Sequence, residues 1–175
     1  GLEDYNPNIG LDFNPQLAKE LVRQAGYKTP SDVPAIDVYF NANENHRKVA
    51  ENFQYQIKSN LGIKVNIKQV EWKIFIDEVI KGKLPVYRWG WVVDSPSAVS
   101  GFDMMKTDSA SNYTKWSNKE YDENLAKLRI EENVKKRKAL SDKLQKIVVE
   151  QEALVFPQFD GVYYFLVKPN IKGFA

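Results

Sequence analysis

The chain has 175 residues, of which 43% are hydrophobic and 13% aromatic, so it is long and apolar enough to bury a core without disulfides. Its 25 basic and 23 acidic residues leave a net charge of +2, which gives no electrostatic reason to expect nucleic acid as a partner. Cysteine is absent and His46 is the only histidine, which excludes thiolate sites and zinc sites built on two or three histidines of this chain. The composition therefore predicts no metal site and does not favour an enzymatic function.

The first half of the chain is predicted to alternate between helices and strands. Helices are predicted where apolar residues recur every three to four positions between capping residues, at 14–26, 43–60 and 73–81. Strands are predicted where apolar residues alternate with polar ones or form a short extended run, at 36–40, 63–67 and 86–93. The resulting order of strand, helix, strand, helix and strand implies right-handed crossovers and an α/β sheet with helices on its faces.

The second half of the chain is predicted to be mainly helical. Residues 94–116 are rich in Ser, Asn, Asp and Gly and indicate a long ordered loop, which in a compact domain is usually functional. Two helices are predicted to follow, one after the capping box that begins at Ser117 and one after Asn133. Two strand-like runs, 154–156 and 162–167, end the chain.

The segment Arg88-Trp89-Gly90-Trp91-Val92-Val93-Asp94 places several reactive groups where a predicted strand gives way to a loop. Open α/β sheets bind their ligands beyond the carboxyl ends of the strands. Tryptophan faces supply apolar walls there, and an arginine and an aspartate offer opposite charges to a zwitterion. A peptide or an amino-acid derivative is the natural zwitterion, although an ordinary strand end with an exposed ion pair accounts for the same residues.

Four stretches of the sequence together resemble one family. They are the helix ending in Ala25-Gly26-Tyr27, the passage from Leu61 to Phe75, the segment from Arg88 to Asp94, and Trp116 to Asp122 followed by Arg137 and the closing run from Lys168. In this order they are similar to the C-terminal part of the family-five extracellular solute-binding proteins, the oligopeptide- and dipeptide-binding proteins of ABC importers. The resemblance extends over nearly the whole chain from Asn14 onward.

The resemblance implies a periplasmic-binding-protein-like (type II) α/β lobe, with a mixed sheet flanked by helices. It implies that residues 1–175 form a single lobe, the second of two lobes that close on an oligopeptide or a dipeptide, and that the first lobe is absent from this chain. The protein is then expected to be a monomeric, non-enzymatic binding component that uses no cofactor and serves the membrane permease subunits of an importer. Its expected location is extracytoplasmic, in the periplasm or lipid-anchored at the cell surface.

The resemblance also implies a set of ligand-binding residues. Asp94 falls on the family's aspartate that accepts the α-ammonium group of the ligand. Arg88 and His46 fall on positions that meet the C-terminal carboxylate of the ligand in some members. Tryptophans complete the candidate set, of which Trp91 and Trp72 match positions that support the cleft and Trp89 is the neighbour of Arg88.

Two other functions stay open at this point. A receptor for a peptide signal has the same fold, and a small hydrolase that uses His46 with Asp94 or Arg88 represents a different class. Many members of the family follow the aspartate with an acidic, proline-rich turn, whereas Asp94-Ser95-Pro96-Ser97 contains no second acid. The ligand class is therefore open among peptides, nickel chelates and sugars.

A lobe without its partner is expected to fold alone and to expose apolar surface around the cleft. The side chains predicted to form this patch are Trp89, Trp91, Phe102, Met104 and Met105. Such patches usually mark interaction sites.

Overall fold

A three-stranded parallel sheet organises the first half of the chain in a computed structural model, which describes residues 4–93, 95–159, 161 and 164–173. The strands are β1 (Ile36–Asn41), β2 (Val65–Val70) and β3 (Val86–Tyr87). Their order is β2-β1-β3, and both outer strands run parallel to β1. The predicted α/β lobe with flanking helices is confirmed, and among the described residues its sheet is parallel throughout rather than mixed.

The helices begin and end near the capping residues that the sequence indicates. They are α1 (Pro15–Gln24), α2 (Glu44–Leu61), α3 (Trp72–Ile80), α4 (Ala98–Phe102), α5 (Lys119–Ile130) and α6 (Val134–Lys146). Asn14 caps α1 by accepting a hydrogen bond from the Leu17 amide at 2.9 Å. Gly62 ends α2 with a φ of 71°, a left-handed conformation that glycine adopts without steric penalty. None of the described helices is both long and apolar enough to cross a bilayer.

The capping box predicted at Ser117 is displaced by one residue. Asn118 is the capping residue of α5, and its side chain accepts a hydrogen bond from the Tyr121 amide at 2.9 Å. Before this helix, residues 95–116 form the ordered loop that the sequence predicts, interrupted by α4 and a short 3₁₀ turn at Asp103–Met105. The buried Asn112 amide holds the loop by donating to the carbonyl oxygens of Lys106 and Trp116 at 3.1 and 2.8 Å.

The hydrophobic core has two parts, one in each half of the chain. The first packs α3 against the sheet through Phe75 and Val79, which are both fully buried. The second lies between α5, α6 and the π-helical turn Ile147–Gln151, and its buried side chains are Tyr121, Leu125, Leu128, Leu144, Ile147 and Val148. The sheet is therefore packed against one core, and the helices of the second half of the chain are packed around another.

The N-terminal segment runs along α6 and is held there by polar contacts spaced about one helical turn apart. Arg137 donates to the Asp4 carboxylate at 2.9 Å, and the Ser141 hydroxyl donates to the Asp4 carbonyl oxygen at 2.8 Å. One turn later, the Gln145 amide donates to the carbonyl oxygen of Asn6 at 2.7 Å. The last contact is the Gly10 amide donating to Glu150 at 3.0 Å, just before the C-terminal tail begins.

The two strands predicted at the end of the chain are not observed. Residues 154–156 are in no sheet, so that prediction is wrong; residues 164–167 of the second run are in no sheet either, and 162–163 lie outside the described residues. A strand needs a neighbour to take its backbone hydrogen bonds, and the described residues of the tail after Glu152 pair with none of β1, β2 and β3. Its large side chains are instead exposed, among them Phe156, Phe159, Tyr164, Phe165 and Leu166.

Among the described residues, most of the exposed large apolar side chains lie near the two ends of the chain, and Trp72, Trp91 and Val92 are exposed near the sheet edge. Phe102, Met104 and Met105 are half-buried, because the helical core packs against this loop, and Trp89 is half-buried as well. Only Trp91 of the predicted patch is exposed, at 41%. At the other end of the chain, the exposed apolar side chains are Leu11, Phe13, Leu17 and Leu21. The predicted patch is therefore wrong in position.

Two apolar residues of α5, one buried and one exposed, allow a test of the helical core. Leu128 is 0% exposed and Ile130 is 83% exposed. We expect Leu128→Ala to lower the free energy of unfolding by about 2–5 kcal/mol, because it leaves a cavity in a packed core. Ile130→Ala is expected to change it by no more than about 0.5 kcal/mol. Urea unfolding followed by circular dichroism measures both, and equal losses or a non-cooperative transition of the unsubstituted chain would contradict this core.

Candidate functional site

The residues that follow the three strands meet at the carboxyl edge of the sheet. Strand β1 ends at Asn41, α3 begins at Trp72 just after β2, and β3 is followed by Arg88, whose amide donates to the Tyr39 carbonyl oxygen at 2.8 Å. A small hollow of about 50 Å³ lies at this edge and is lined by Asn41, Trp72, Phe75, Arg88, Trp89 and Gly90. Open α/β sheets hold their ligands at this position.

His46 joins this edge from the first turn of α2. Asn43 caps the helix by accepting hydrogen bonds from the amides of Asn45 and His46 at 2.9 and 3.2 Å. The Nδ1 atom of the His46 ring lies 2.7 Å from Oδ1 of Asn41. Partial burial and the nearby Arg88 guanidinium hold the pKa of His46 below its usual range, and a hydrogen bond to the backbone of Asn41 acts in the opposite direction.

The tryptophans of this region differ in how far they are exposed. Trp89 is half-buried, with its ring stacked 6.2 Å from Phe75 and edge-on to Tyr113 at 5.3 Å between ring centroids. Its Nε1 atom is buried and has no hydrogen-bond partner among the described residues. Trp72 stacks on Phe75 at 6.3 Å and is 51% exposed, and Trp91 is 41% exposed. Trp89 thus packs beneath the hollow, while Trp72 and Trp91 expose apolar surface to solvent.

The structure brings some of the predicted site residues together and leaves one untested. Arg88 and Trp89 line the hollow at the sheet edge, His46 contacts Asn41 of the same lining, and Trp91 follows on the segment after Trp89. Asp94, the predicted acceptor of the ligand's ammonium group, lies outside the described residues. A larger hollow, of about 190 Å³, opens beside α1 and the end of α2, and none of the predicted site residues lines it.

Asn41 is a site residue that the sequence analysis missed. It ends β1, and its contact with His46 joins the end of a strand to the first turn of the next helix. No motif marks it, because an asparagine at the end of a strand is common in turns. Its position five residues before the only histidine, at the carboxyl end of a predicted strand, was the available signal.

The groups at this edge can bind both charged and apolar parts of a ligand. Arg88 supplies a permanent positive charge, His46 supplies a ring that gains or loses a proton, and the tryptophans supply apolar surface. No hydroxyl group of the described residues hydrogen-bonds His46, as a nucleophile–base pair of a hydrolase requires. In the part of the chain that the structure describes, no group of three or more His, Asp and Glu side chains comes together to hold a metal ion.

Comparison with known proteins identifies the family. The model of the bacterial extracellular solute-binding proteins, family 5 Middle, matches residues 1–113. The periplasmic murein peptide-binding protein MppA of Escherichia coli is 32% identical to 97% of this chain, and the match covers 34% of MppA. The chain thus spans about a third of the length of the curated relatives that it matches.

Solved structures agree with this assignment. An oligopeptide-binding protein of an ABC transporter from Borrelia burgdorferi superposes on 87% of this chain and 31% of its own, with a TM-score of 0.78 and 30% identity. Haemophilus influenzae OppA in complex with the peptide RPPGFSPFR superposes on 77% of this chain and 26% of its own, with a TM-score of 0.70 and 29% identity. The chain therefore belongs to family 5 of the bacterial extracellular solute-binding proteins.

Proposed function

We propose that this chain forms one wall of an inter-lobe cleft that binds oligopeptides or dipeptides, in the substrate-binding component of an ABC importer. The observation that carries the proposal is the hollow at the carboxyl edge of the sheet, which Arg88, Trp72 and Trp89 line together with Asn41, the partner of His46. The family is one of binding proteins. The murein peptide in the name of MppA and the peptide bound to the Haemophilus relative support peptides as the ligand class.

The size of the hollow supports a cleft that is completed by a second lobe. Pockets that bury a small ligand have volumes of about 300–1,000 Å³. The hollow at the sheet edge has about 50 Å³, and the half-exposed Trp72 and Trp91 lie at its side of the molecule without apolar cover. Residues 1–175 are accordingly proposed to be a single lobe, the second of two, and a first lobe supplies the opposite wall.

The exposed apolar side chains at both ends of the chain support contact with that first lobe. A soluble protein rarely leaves large apolar patches uncovered, and such patches mark interaction surfaces. The exposed residues lie in the segment before α1, on α1 itself and in the tail, and they include Leu11, Phe13, Leu17, Leu21, Phe156, Phe159 and Phe165. We infer that the remainder of the full-length protein covers them.

Within the cleft, we assign the ligand-binding role of each charged residue from the sign of its charge. Arg88 and His46 receive the C-terminal carboxylate of the peptide, because a guanidinium group binds a carboxylate with two parallel hydrogen bonds. Asp94 receives the α-ammonium group, a role supported by its match to the family's aspartate. Trp72, Trp89 and Trp91 provide the apolar walls.

The family also supports where the protein acts. It is described as bacterial and extracellular, and MppA is named as periplasmic. We propose that the full-length protein is an extracytoplasmic monomer, in the periplasm or lipid-anchored at the cell surface. It delivers its ligand to the permease subunits of the importer.

The single lobe is expected to bind peptides weakly. An ion pair near water contributes about 0–1 kcal/mol, because solvent screens its charges, and one wall alone leaves Arg88 beside water. Calorimetric titration of the 175-residue chain with tri- to pentapeptides is expected to give no dissociation constant below about 1 μM. Tighter binding by this chain would contradict a cleft that needs two lobes.

In the full-length protein, Asp94→Ala is expected to weaken binding of free-amine peptides by at least about tenfold. The reason is that the closed cleft leaves the ammonium group buried without its counter-charge. N-acetylated forms of the same peptides are expected to bind poorly to the unsubstituted protein and to lose little more in the variant. The four affinities form a double-mutant cycle, whose non-additivity measures the direct pair.

The control for this cycle is Asp142→Ala, which removes a carboxylate of α6 that pairs with Lys138 at 3.2 Å. It is expected to leave the affinity for both peptide forms unchanged. If Asp94→Ala weakens acetylated and free peptides equally, Asp94 does not accept the ammonium group. Its role is then to hold the loop that follows it.

A further inference from the structure

The hydrogen bond between Asn41 and His46 decides which nitrogen of the ring carries the proton. The Oδ1 atom of Asn41 is an amide oxygen and can only accept a hydrogen bond. Since His46 Nδ1 lies 2.7 Å from it, Nδ1 is the nitrogen that holds the hydrogen in the neutral ring. The other nitrogen, Nε2, then has a lone pair, and it makes no hydrogen bond among the described residues.

This arrangement sets what the ring can bind. A neutral His46 presents the lone pair of Nε2, which accepts a hydrogen bond and repels a carboxylate oxygen. A protonated His46 has N–H groups on both nitrogens, so Nε2 donates to a carboxylate with the added strength of a charged donor. The same ring therefore disfavours or favours an acidic ligand terminus according to one proton.

We propose that Asn41 is a positioning residue that makes carboxylate binding at His46 and Arg88 coupled to the uptake of one proton. The inference rests on the proposed function, because it requires a ligand with a carboxylate at this edge. The proton comes from solvent and binds to Nε2 of His46, and no covalent bond of the ligand changes.

The charges around His46 favour this coupling. From the segment after β3, the Arg88 guanidinium is the charged group that acts on the ring, and it lowers the pKa together with burial. On the ring's own helix, Glu44 and Arg47 pair with each other at 3.7 Å, and from β1 only the neutral Asn41 contacts the ring. Without ligand the ring is therefore neutral at pH 7. A ligand carboxylate beside His46 places a negative charge next to the ring and raises the pKa of His46, so binding takes up a proton.

The tautomer is tested in the free 175-residue chain by nitrogen-15 NMR of the imidazole, which is unambiguous because His46 is the only histidine. The expected result is the Nδ1–H tautomer above pH 7, with a pKa below about 6.5. Asn41→Asp keeps Nδ1–H and raises the pKa of His46, whereas Asn41→Leu removes the side-chain acceptor, leaves only the backbone of residue 41 as a partner and weakens the preference for Nδ1–H. Asn45→Leu, one residue before the ring, is the matched control and is expected to change neither. An Nε2–H tautomer in the unsubstituted chain overturns the inference and leaves peptide binding untouched.

The proton coupling is tested in the full-length protein with one peptide in two forms, a free C-terminal acid and its amide. Between about pH 8 and pH 6, the affinity for the acid is expected to rise as pH falls, by at most about tenfold per pH unit for one proton. The amide is expected to show no such rise. Asn41→Leu and His46→Gln are expected to flatten the dependence for the acid, and Asn45→Leu to leave it unchanged.

The outcomes separate this inference from the proposed function. An affinity for the acid that does not change with pH, or changes equally for acid and amide, overturns the inference while peptide binding stands. Proton uptake measured by calorimetry in two buffers of different ionisation enthalpy is expected to approach one proton for the acid alone. Failure of the full-length protein to bind either peptide at any pH overturns the proposed function, and the inference with it.

Discussion

Parallel pairing of β1 with both of its neighbours is the constraint on which the rest of this site depends. Parallel strands cannot be joined by a short turn, so α2 and α3 cross over between them and the three strand ends point the same way. Asn41, Trp72 and Arg88 are far apart in sequence and meet for this reason alone. His46 is added because Asn43 begins α2 immediately after β1, which places the ring in the first turn of the helix.

The same edge can contribute little binding free energy as long as it faces solvent. Water screens the charge of Arg88, and an uncovered tryptophan face gains nothing from burial. Covering the edge removes water from both groups at once, so the apolar and electrostatic contributions grow together. This coupling is the physical reason for the proposed division of the site between two lobes: the ligand is then held strongly only when the lobes close, and it is released when they separate.

The sequence predicts most of the first half of the fold because its signals are local, although the strand predicted at 86–93 extends only over Val86–Tyr87. Asn14 and Gly62 mark helix ends through their own backbone and side-chain chemistry, and alternation marks β1. The strand predicted at 154–156 is not formed, because a strand needs a pairing partner. That partner can lie far away in the sequence, so the residue preferences of the segment itself do not reveal whether it exists. Phe102 is half-buried, contrary to expectation, because α5 packs on it, as the hydrogen bond from Tyr121 Oη to its carbonyl oxygen shows. The site residues divide in the same way into local and tertiary signals. Arg88 belongs to a motif that the sequence shows, whereas Asn41 is a site residue only through its tertiary contact with His46.

The hydrogen bonds that hold residues 4–10 along α6 and the π-helical turn after it have a mechanical consequence. Arg137 and Ser141 of α6 both hold Asp4, Gln145 of α6 holds Asn6, and Glu150 of the π-helical turn after α6 holds Gly10. A pull on Asp4 directed away from the helix therefore loads the two Asp4 contacts first and the contacts of Asn6 and Gly10 afterwards. Under tension the segment separates from the helix stepwise, beginning at Asp4.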